Sequence, residues 1–279
     1  MSVATDAASA LARDIRADEA AFRLAKQRET WRRRILPCLG ILIGLGAWEA
    51  IVYFGEVKPF IAPAPLVVAQ TFIAKFWMFM DNLWPTVVEA IGGFLIGNLF
   101  AILLAIAFVH RKWVSETFFP LVVLINSIPV VAKAPILVLM LGNGFAPKIV
   151  IAAVICFFPT LVNMVRGLES ANPQAMELMR VLSASKWEIF WKLRLYTSLP
   201  FLFSALRISA SIAVVGAIVG EWIGASYGIG ALIIQSTYNF DSAQLYATVF
   251  LGSTFSMLFF LSISLLERLV VRWQPPSVA

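Results

Sequence analysis

The sequence predicts an all-α integral membrane protein with about six transmembrane helices. Of its 279 residues, 60% are hydrophobic and only 14% are charged, which is more apolar surface than the core of a water-soluble domain needs. The apolar residues also cluster in runs of about 20, the length that crosses a hydrocarbon core roughly 30 Å thick. Both observations argue against a soluble cytoplasmic enzyme.

Six apolar runs are long enough to span a bilayer. In chain order they are residues 35–54, 83–109, 118–141, 147–165, 199–223 and 245–267. We therefore expect a transmembrane domain over residues 35–270, with tails at 1–34 and 271–279.

The basic residues predict the orientation of these spans. Eight Lys and Arg precede Ile35 and five lie between Arg166 and Arg194, whereas the opposite connections hold only Lys58, Lys75 and Lys148. Because cytoplasmic loops are enriched in Lys and Arg, we expect both termini to be cytoplasmic. The connections after the first and fifth spans then face outward. The location expected is the inner membrane of a bacterial cell.

The first 34 residues mix basic and acidic groups, which is not typical of a cleavable signal. Leu11, Ile15 and Phe22 would share the apolar face of an interfacial helix. A solvated charged tail is the alternative interpretation, and we favour it slightly.

Small residues recur every fourth position in the second and fifth spans. They are Gly93, Gly97, Ala101 and Ala105 in the second span, and Ala205, Ser209, Ala213, Ala217, Gly216, Gly220 and Gly224 in or just after the fifth. Helices in lipid associate through such close approach, because lipid tails offer no hydrophobic drive for association. Small residues are also common in membrane helices generally, which is the plainer interpretation.

The third span contains two prolines, Pro129 and Pro135, with Lys133 between them. Each proline removes a backbone donor, so we expect irregular backbone that is buried in protein or lines a cavity. A lysine at this depth costs about 2.5 kcal/mol or more, which marks Lys133 as a functional candidate. Snorkelling of its ammonium to the headgroups is an equal alternative.

Other ionisable residues lie in or near the spans. Glu89 and Glu221 fall toward predicted outer ends, where we expect them to reach water, and Arg207 lies near a cytoplasmic end. Arg207, Ser211 and Trp222 share one helix face, a partly polar wall. The predicted translocation pathway is lined by Asn126, Pro129, Lys133, Ser211, Glu221 and Trp222.

The connection 166–198 reads as two short capped helices. Asn172 followed by Pro173 is a typical helix start, and Ser185 with Glu188 forms a capping-box pattern. Apolar residues on both helices need something to pack on. The bilayer surface and a partner protein both fit.

Several chemistries lack the residues they need. Cys38 and Cys156 lie in separate apolar runs, and His110 is the only histidine, so we expect no metal site and no catalytic residue. The chain has no GxxxxGK[ST] phosphate loop, so ATP hydrolysis would occur elsewhere. The basic residues flank membrane segments, which argues against a nucleic-acid partner.

The same connection resembles the cytoplasmic loop of permease subunits of binding-protein-dependent ABC importers. That loop has Glu-Ala-Ala, three residues, Gly, nine residues, Ile, one residue and Leu-Pro. Aligned with it are Glu177, Leu178, Met179, Ser183, Leu193, Leu195 and Tyr196, so the spacing is kept while Gly becomes Ser183 and Pro becomes Tyr196. The resemblance extends from about Ile61 to Trp273. Supporting residues include Ile128 with Pro129, Gly142 to Gly144, Lys148, Gly220 with Glu221, and Gly228 to Gly230.

The branch it resembles contains sulfonate, taurine and nitrate permeases, and is nearest to the members for hydroxymethylpyrimidine or riboflavin. The resemblance implies the type I importer fold. It also implies a second copy of the chain, two soluble ATPases that bind ATP and Mg, and an external substrate-binding protein. This chain would bind no cofactor. The predicted ATPase-coupling residues are Glu177, Leu178, Met179, Leu182, Ser183, Ala184 and Ser185.

A secondary transporter driven by an ion gradient is the alternative function. Such proteins often carry matched broken helices in two inverted halves. Here the broken third span has no matching partner, which favours the importer subunit.

Overall fold

A computed structural model describes residues 35–273 and, before them, residues 22, 28–29 and 31–32. Most of the predicted tail at 1–34, including Leu11 and Ile15, and residues 274–279 lie outside the described residues. The described chain is almost wholly helical. Its helices are α1 Ile35–Phe54, α2 Pro65–Ala74, α3 Phe76–His110, α4 Lys112–Ser127, α5 Val130–Leu141, α6 Phe145–Glu169, α7 Pro173–Val181, α8 Lys186–Ile189, α9 Leu195–Glu221, α10 Ile229–Tyr238 and α11 Ser242–Val270.

Five helical segments of the described chain are long and apolar enough to cross a membrane. They are α1, α3, α6, the continuous helix Lys186–Glu221, and α11, and the bent pair α4 with α5 makes a sixth candidate span. The prediction of about six spans is thereby confirmed. Within the described residues, those up to Val67 form one compact unit, in which α1 is a 20-residue apolar helix, and those from Val68 to Trp273 form a second.

The second unit is built on close packing of α3, α6 and α9. A Cβ atom at Gly93 would collide with Ala152, and one at Gly97 would collide with the carbonyl group of Ala153. From the other side, a Cβ atom at Gly216 would press on the backbone of Ala152. The small residues predicted from the sequence therefore let α3 and α9 approach α6 at backbone distance, as helix association in lipid requires.

A polar cluster lies inside this packed region. The Thr160 hydroxyl of α6 contacts the Asn98 side-chain oxygen of α3 and, at 2.9 Å, the Ser209 hydroxyl of α9. The Cys156 thiol donates to the Ser209 carbonyl at 3.2 Å. All four side chains are buried. Because each finds a partner on a neighbouring helix, the cluster joins the three helices without leaving a polar group unpaired.

The third predicted span is broken, as expected, but the break is confined to one position. Helices α4 and α5 meet at 99° across Ile128 and Pro129. Pro129 has φ −54° and ψ 136°, an extended conformation that ends one helix and precedes the next. Pro135 lies inside α5 and does not interrupt it. The irregular backbone is thus confined to the first proline.

The start of α3 is tied to the start of α11. The Lys75 ammonium donates to Asp241 at 3.0 Å and to the Gln244 side-chain oxygen at 2.7 Å. Partial burial by itself would raise the pKa of Asp241, but hydrogen bonds from the Gln244 backbone and from Lys75 outweigh it and hold that pKa below its usual range. Asp241 also caps α11, so one carboxylate fixes both helix ends.

Gly97 and Gly92 of α3 together test the close packing of α3 on α6. At Gly97 an added methyl group meets the α6 backbone, whereas at Gly92 it meets only the Ile149 side chain at 3.4 Å. We expect Gly97→Ala to destabilise the protein by about 1–3 kcal/mol, and Gly92→Ala to be neutral or stabilising because alanine favours helix by about 1 kcal/mol. The fraction of monodisperse protein after heating in detergent measures both. Equal losses in the two variants would contradict close α3–α6 packing.

Candidate functional site

The connection between α6 and α9 is an ordered structure with defined caps. The Asn172 side chain accepts from the Gln174 backbone N–H at 2.9 Å, and Pro173 is the first residue of α7. The Ser185 side chain accepts from the Glu188 N–H at 3.2 Å, while the Glu188 carboxylate accepts from the Ser185 N–H at 2.9 Å. Both predicted caps are confirmed, so the backbone on each side of the turn between them is fixed.

The turn that ends α7 falls at Ser183, the position where the resembled loop has glycine. Ser183 has φ +55°. The Ala184 N–H donates to the Met179 carbonyl at 2.9 Å, a hydrogen bond from the sixth residue of the turn back to the first. This is the Schellman arrangement, in which the left-handed position favours glycine. Ser183 adopts the turn that glycine would adopt, at some conformational cost. The residue spacing of the importer loop is therefore kept although its glycine is replaced by serine.

The second predicted short helix is not a separate element, and here the prediction was wrong. Helix α8 continues through a π-helical segment, Phe190–Arg194, directly into α9. The Leu195 N–H bonds to the Phe190 carbonyl, five residues back, instead of four. The helix that emerges from the capping box is therefore the same helix that crosses the membrane.

Aromatic contacts anchor this junction to the corner between α3 and α4. Phe190 is buried, and its ring lies 5.3 Å from the His110 ring at the end of α3. Trp187 stacks on Phe190 with ring centroids 5.4 Å apart. His110 serves this packing, and its Nδ1–H donates to the Ile106 carbonyl oxygen at 2.8 Å. The junction is therefore packed against the end of α3 as well as continuous with α9.

One exposed face of α7 is apolar. Leu178, Val181 and Leu182 occupy one helix face, and Val181 is 81% exposed. Glu177 and Ser185 are also exposed, while Met179 and Ala184 are half-buried. The seven predicted coupling residues thus lie on one short helix and the turn that follows it. We call the exposed face of Leu178, Val181 and Leu182 the α7 apolar stripe.

The opposite end of the second unit holds a buried charged cluster. Glu89 is 0% exposed and Glu221 1% exposed, so the expectation that they reach water was wrong. The Lys148 ammonium pairs with Glu89 at 3.1 Å, although the sequence placed Lys148 in an outward connection. The Glu89–Lys148 pair is neutral as a whole, which offsets part of the cost of burying its two charges, whereas Glu221 accepts hydrogen bonds from Thr86 and Gly230.

Glu221 fixes the connection that leads to α10. One carboxylate oxygen accepts from the Thr86 hydroxyl at 2.6 Å, and the other accepts from the Gly230 backbone N–H. The Ile229 N–H donates to Thr86 at 2.9 Å. Gly228 has φ +125°, and a side chain there would collide with the Glu221 carboxylate. Side chains of α3 and α9 therefore satisfy two of the free N–H groups at the start of α10, those of Ile229 and Gly230.

The structure does not gather the predicted pathway residues in one place. Asn126 borders an apolar groove of about 440 Å³ beside Gly97 and Phe157, whereas Ser211 borders a different groove of about 450 Å³ between α9, α10 and α11. Pro129 and Lys133 lie on the broken span, and Trp222 follows the end of α9 with 43% exposure. Their role as lining residues stays a prediction.

Three residues that matter to this geometry escaped the sequence argument. Glu267 pairs with Arg207 at 3.2 Å, which gives Arg207 a structural partner on α11. Thr86 and Lys148 lie within the stretch that resembles the importer family, but that resemblance named no partner for either. An ionisable residue in an apolar run signals a buried partner, but the run does not say which helix supplies it.

The chain is similar to known membrane transport proteins. Residues 97–274 match the family described as binding-protein-dependent transport system inner membrane component. The riboflavin transport system permease protein RibX of Chloroflexus aurantiacus is 31% identical over 254 residues, covering 89% of this chain and 93% of the relative. The formylaminopyrimidine transport permease protein ThiX of Halalkalibacterium halodurans is 32% identical over 240 residues, covering 85% and 95%.

A third relative and two solved structures agree with this family. The putative aliphatic sulfonates transport permease protein SsuC of Bacillus subtilis is 25% identical over 252 residues, covering 89% of this chain and 90% of its own. The inward-facing MetNI methionine ABC transporter has TM-score 0.56 at 21% identity, covering 71% of this chain and 98% of that one. An amino acid ABC transporter has TM-score 0.58 at 14% identity, covering 74% of this chain and 98% of that one.

The solved structures confirm the type I importer permease fold, and the family match covers most of the chain. The sequence therefore belongs to the family of inner membrane components of binding-protein-dependent transport systems, as a multi-pass permease subunit of an ABC importer that is not itself an enzyme.

Proposed function

We propose that this permease pairs with a second copy of itself, receives a small organic solute from an external binding protein, and is driven by two soluble ATPases. The observation that carries the proposal is the α7 apolar stripe, held outside the apolar spans by a cap at each end. Three large apolar side chains on a solvent-facing helix are typical of a docking surface. Their i, i+3, i+4 spacing fits a helix seated in a groove.

Transmission of force requires stiffness between the docking surface and the spans. The Asn172 cap, the turn at Ser183 and the Ser185 capping box fix the backbone from α7 to α8. Helix α8 then runs without interruption into α9. A displacement of α7 is thereby passed to α9 instead of being absorbed by a loop, as a rigid-body transition requires.

The α7 apolar stripe provides the first test of ATPase docking. We expect Leu178→Arg with Leu182→Arg to lower the amount of ATPase that co-purifies with the permease at least about tenfold, because the arginines would be desolvated without partners in an apolar interface. The permease itself should remain in the membrane at unchanged amount, since both side chains are exposed.

Glu169→Arg is the matched control. It changes the charge by two at an exposed position that precedes the Asn172 cap, and it leaves the stripe intact. ATPase should co-purify normally with this variant. Equal losses in both variants would indicate a general effect of positive charge, and unchanged association in the double variant would refute docking on α7.

For the solute, we infer a nitrogen heteroaromatic compound, either a pyrimidine precursor of thiamine or riboflavin. The relatives named for these solutes are 31% and 32% identical, against 25% for the relative named for sulfonates. Sulfonate, taurine or nitrate is the remaining option.

The external binding protein that we propose for this permease distinguishes these solutes. We expect calorimetric titration to detect binding of formylaminopyrimidine or riboflavin and none of taurine. Binding proteins capture the solute before it reaches the permease, so their selectivity reports the cargo most directly. Tight taurine binding with neither heteroaromatic compound would contradict the assignment, while leaving the importer function intact.

A further inference from the structure

An exposed aromatic pair marks the place where α9 begins and α11 ends. Tyr196, in the first turn of α9, meets Trp273, just beyond α11, with ring centroids 5.9 Å apart at 65°. The two rings contact each other, yet Tyr196 is 56% exposed and Trp273 50% exposed. Tyr and Trp with an apolar body and a polar tip are enriched at the level of lipid headgroups.

Three basic residues lie close to this pair along the two helices. Lys192 lies one turn before Tyr196, Arg272 directly precedes Trp273, and Arg268 lies in the last turn of α11. All three are exposed. The Arg272 Nε donates to the Leu269 carbonyl at 3.0 Å, which holds the guanidinium beside the end of α11. We call Lys192, Tyr196, Arg272 and Trp273 the α9–α11 patch.

The carboxylates near the patch do not neutralise it. Glu188 reaches Lys192 at 3.6 Å, but both side chains are largely exposed and such pairs contribute little. Glu267 is paired with Arg207 on the protein side. Counting the residues that the structure describes, the patch keeps a net positive charge next to two rings that suit the headgroup region.

We propose that the α9–α11 patch binds the headgroup phosphate of an anionic phospholipid. Guanidinium and ammonium groups supply charge-assisted hydrogen bonds to phosphate oxygens, and the Tyr196–Trp273 pair contacts the glycerol and upper acyl region. The lipid would join the start of α9 to the end of α11 immediately after the coupling connection. The lipid would thereby set how firmly these two helices move together.

Lipid retention in native mass spectra tests this proposal without any ATPase, so it succeeds or fails independently of the proposed function. The permease is purified in detergent and offered equal phosphatidylglycerol and phosphatidylcholine. We expect wild type to retain phosphatidylglycerol in preference. Lys192→Gln with Arg272→Gln should reduce that preference roughly tenfold, and Trp273→Ala should weaken it with no change of charge.

The control is Arg111→Gln with Lys112→Gln. It removes the same charge from exposed residues, and Lys112 pairs with Glu116 at 3.6 Å just as Lys192 pairs with Glu188. This variant should keep the preference. Equal loss in the control, no preference in wild type, or full displacement by inorganic phosphate would each overturn the proposal, the last because a free anion needs no aromatic contact.

Discussion

Backbone contact among α3, α6 and α9 is the constraint on which the rest of the second unit depends. In lipid no hydrophobic drive brings apolar helices together, so their association rests on how closely they approach. Glycine and alanine meet at points of closest approach between these helices, as at Gly97 against Ala153 and at Gly216 against Ala152. The buried Asn98, Thr160 and Ser209 then favour this register, because a shift of one helix along another would separate these partners.

The connections at the two ends of this packed core differ in structure. At one end, Glu221 and Thr86 bind the backbone N–H groups that open α10, so the connection after α9 is fixed by buried hydrogen bonds. At the other end, α9 runs straight out of the core into the capped connection that carries α7. A rigid core between a fixed connection and an exposed apolar helix is an arrangement that can convert a pull on α7 into a change at the far end.

The sequence predicted the features that depend on local chemistry. Span length, the small-residue ladders, the cap at Asn172 and the capping box at Ser185 all follow from residue type and spacing. It could not predict pairings between distant segments. Glu89 looked like a residue near water because its run does not reveal Lys148 on α6, and the π-helical segment after Ile189 has no spacing signal that separates it from an α-helix. Ser183 lies between these cases, since its role became clear only from its positive φ.

Uptake into proteoliposomes is the most direct measurement of the central claim, that a separate ATPase drives this permease through α7. The permease would be reconstituted with or without its ATPase and supplied with the loaded external binding protein, radiolabelled solute and internal ATP. We expect accumulation only when both the ATPase and ATP are present, and only background uptake with a non-hydrolysable nucleotide. Equally fast accumulation by the permease alone, without nucleotide, would contradict the account and favour a transporter driven by an ion gradient.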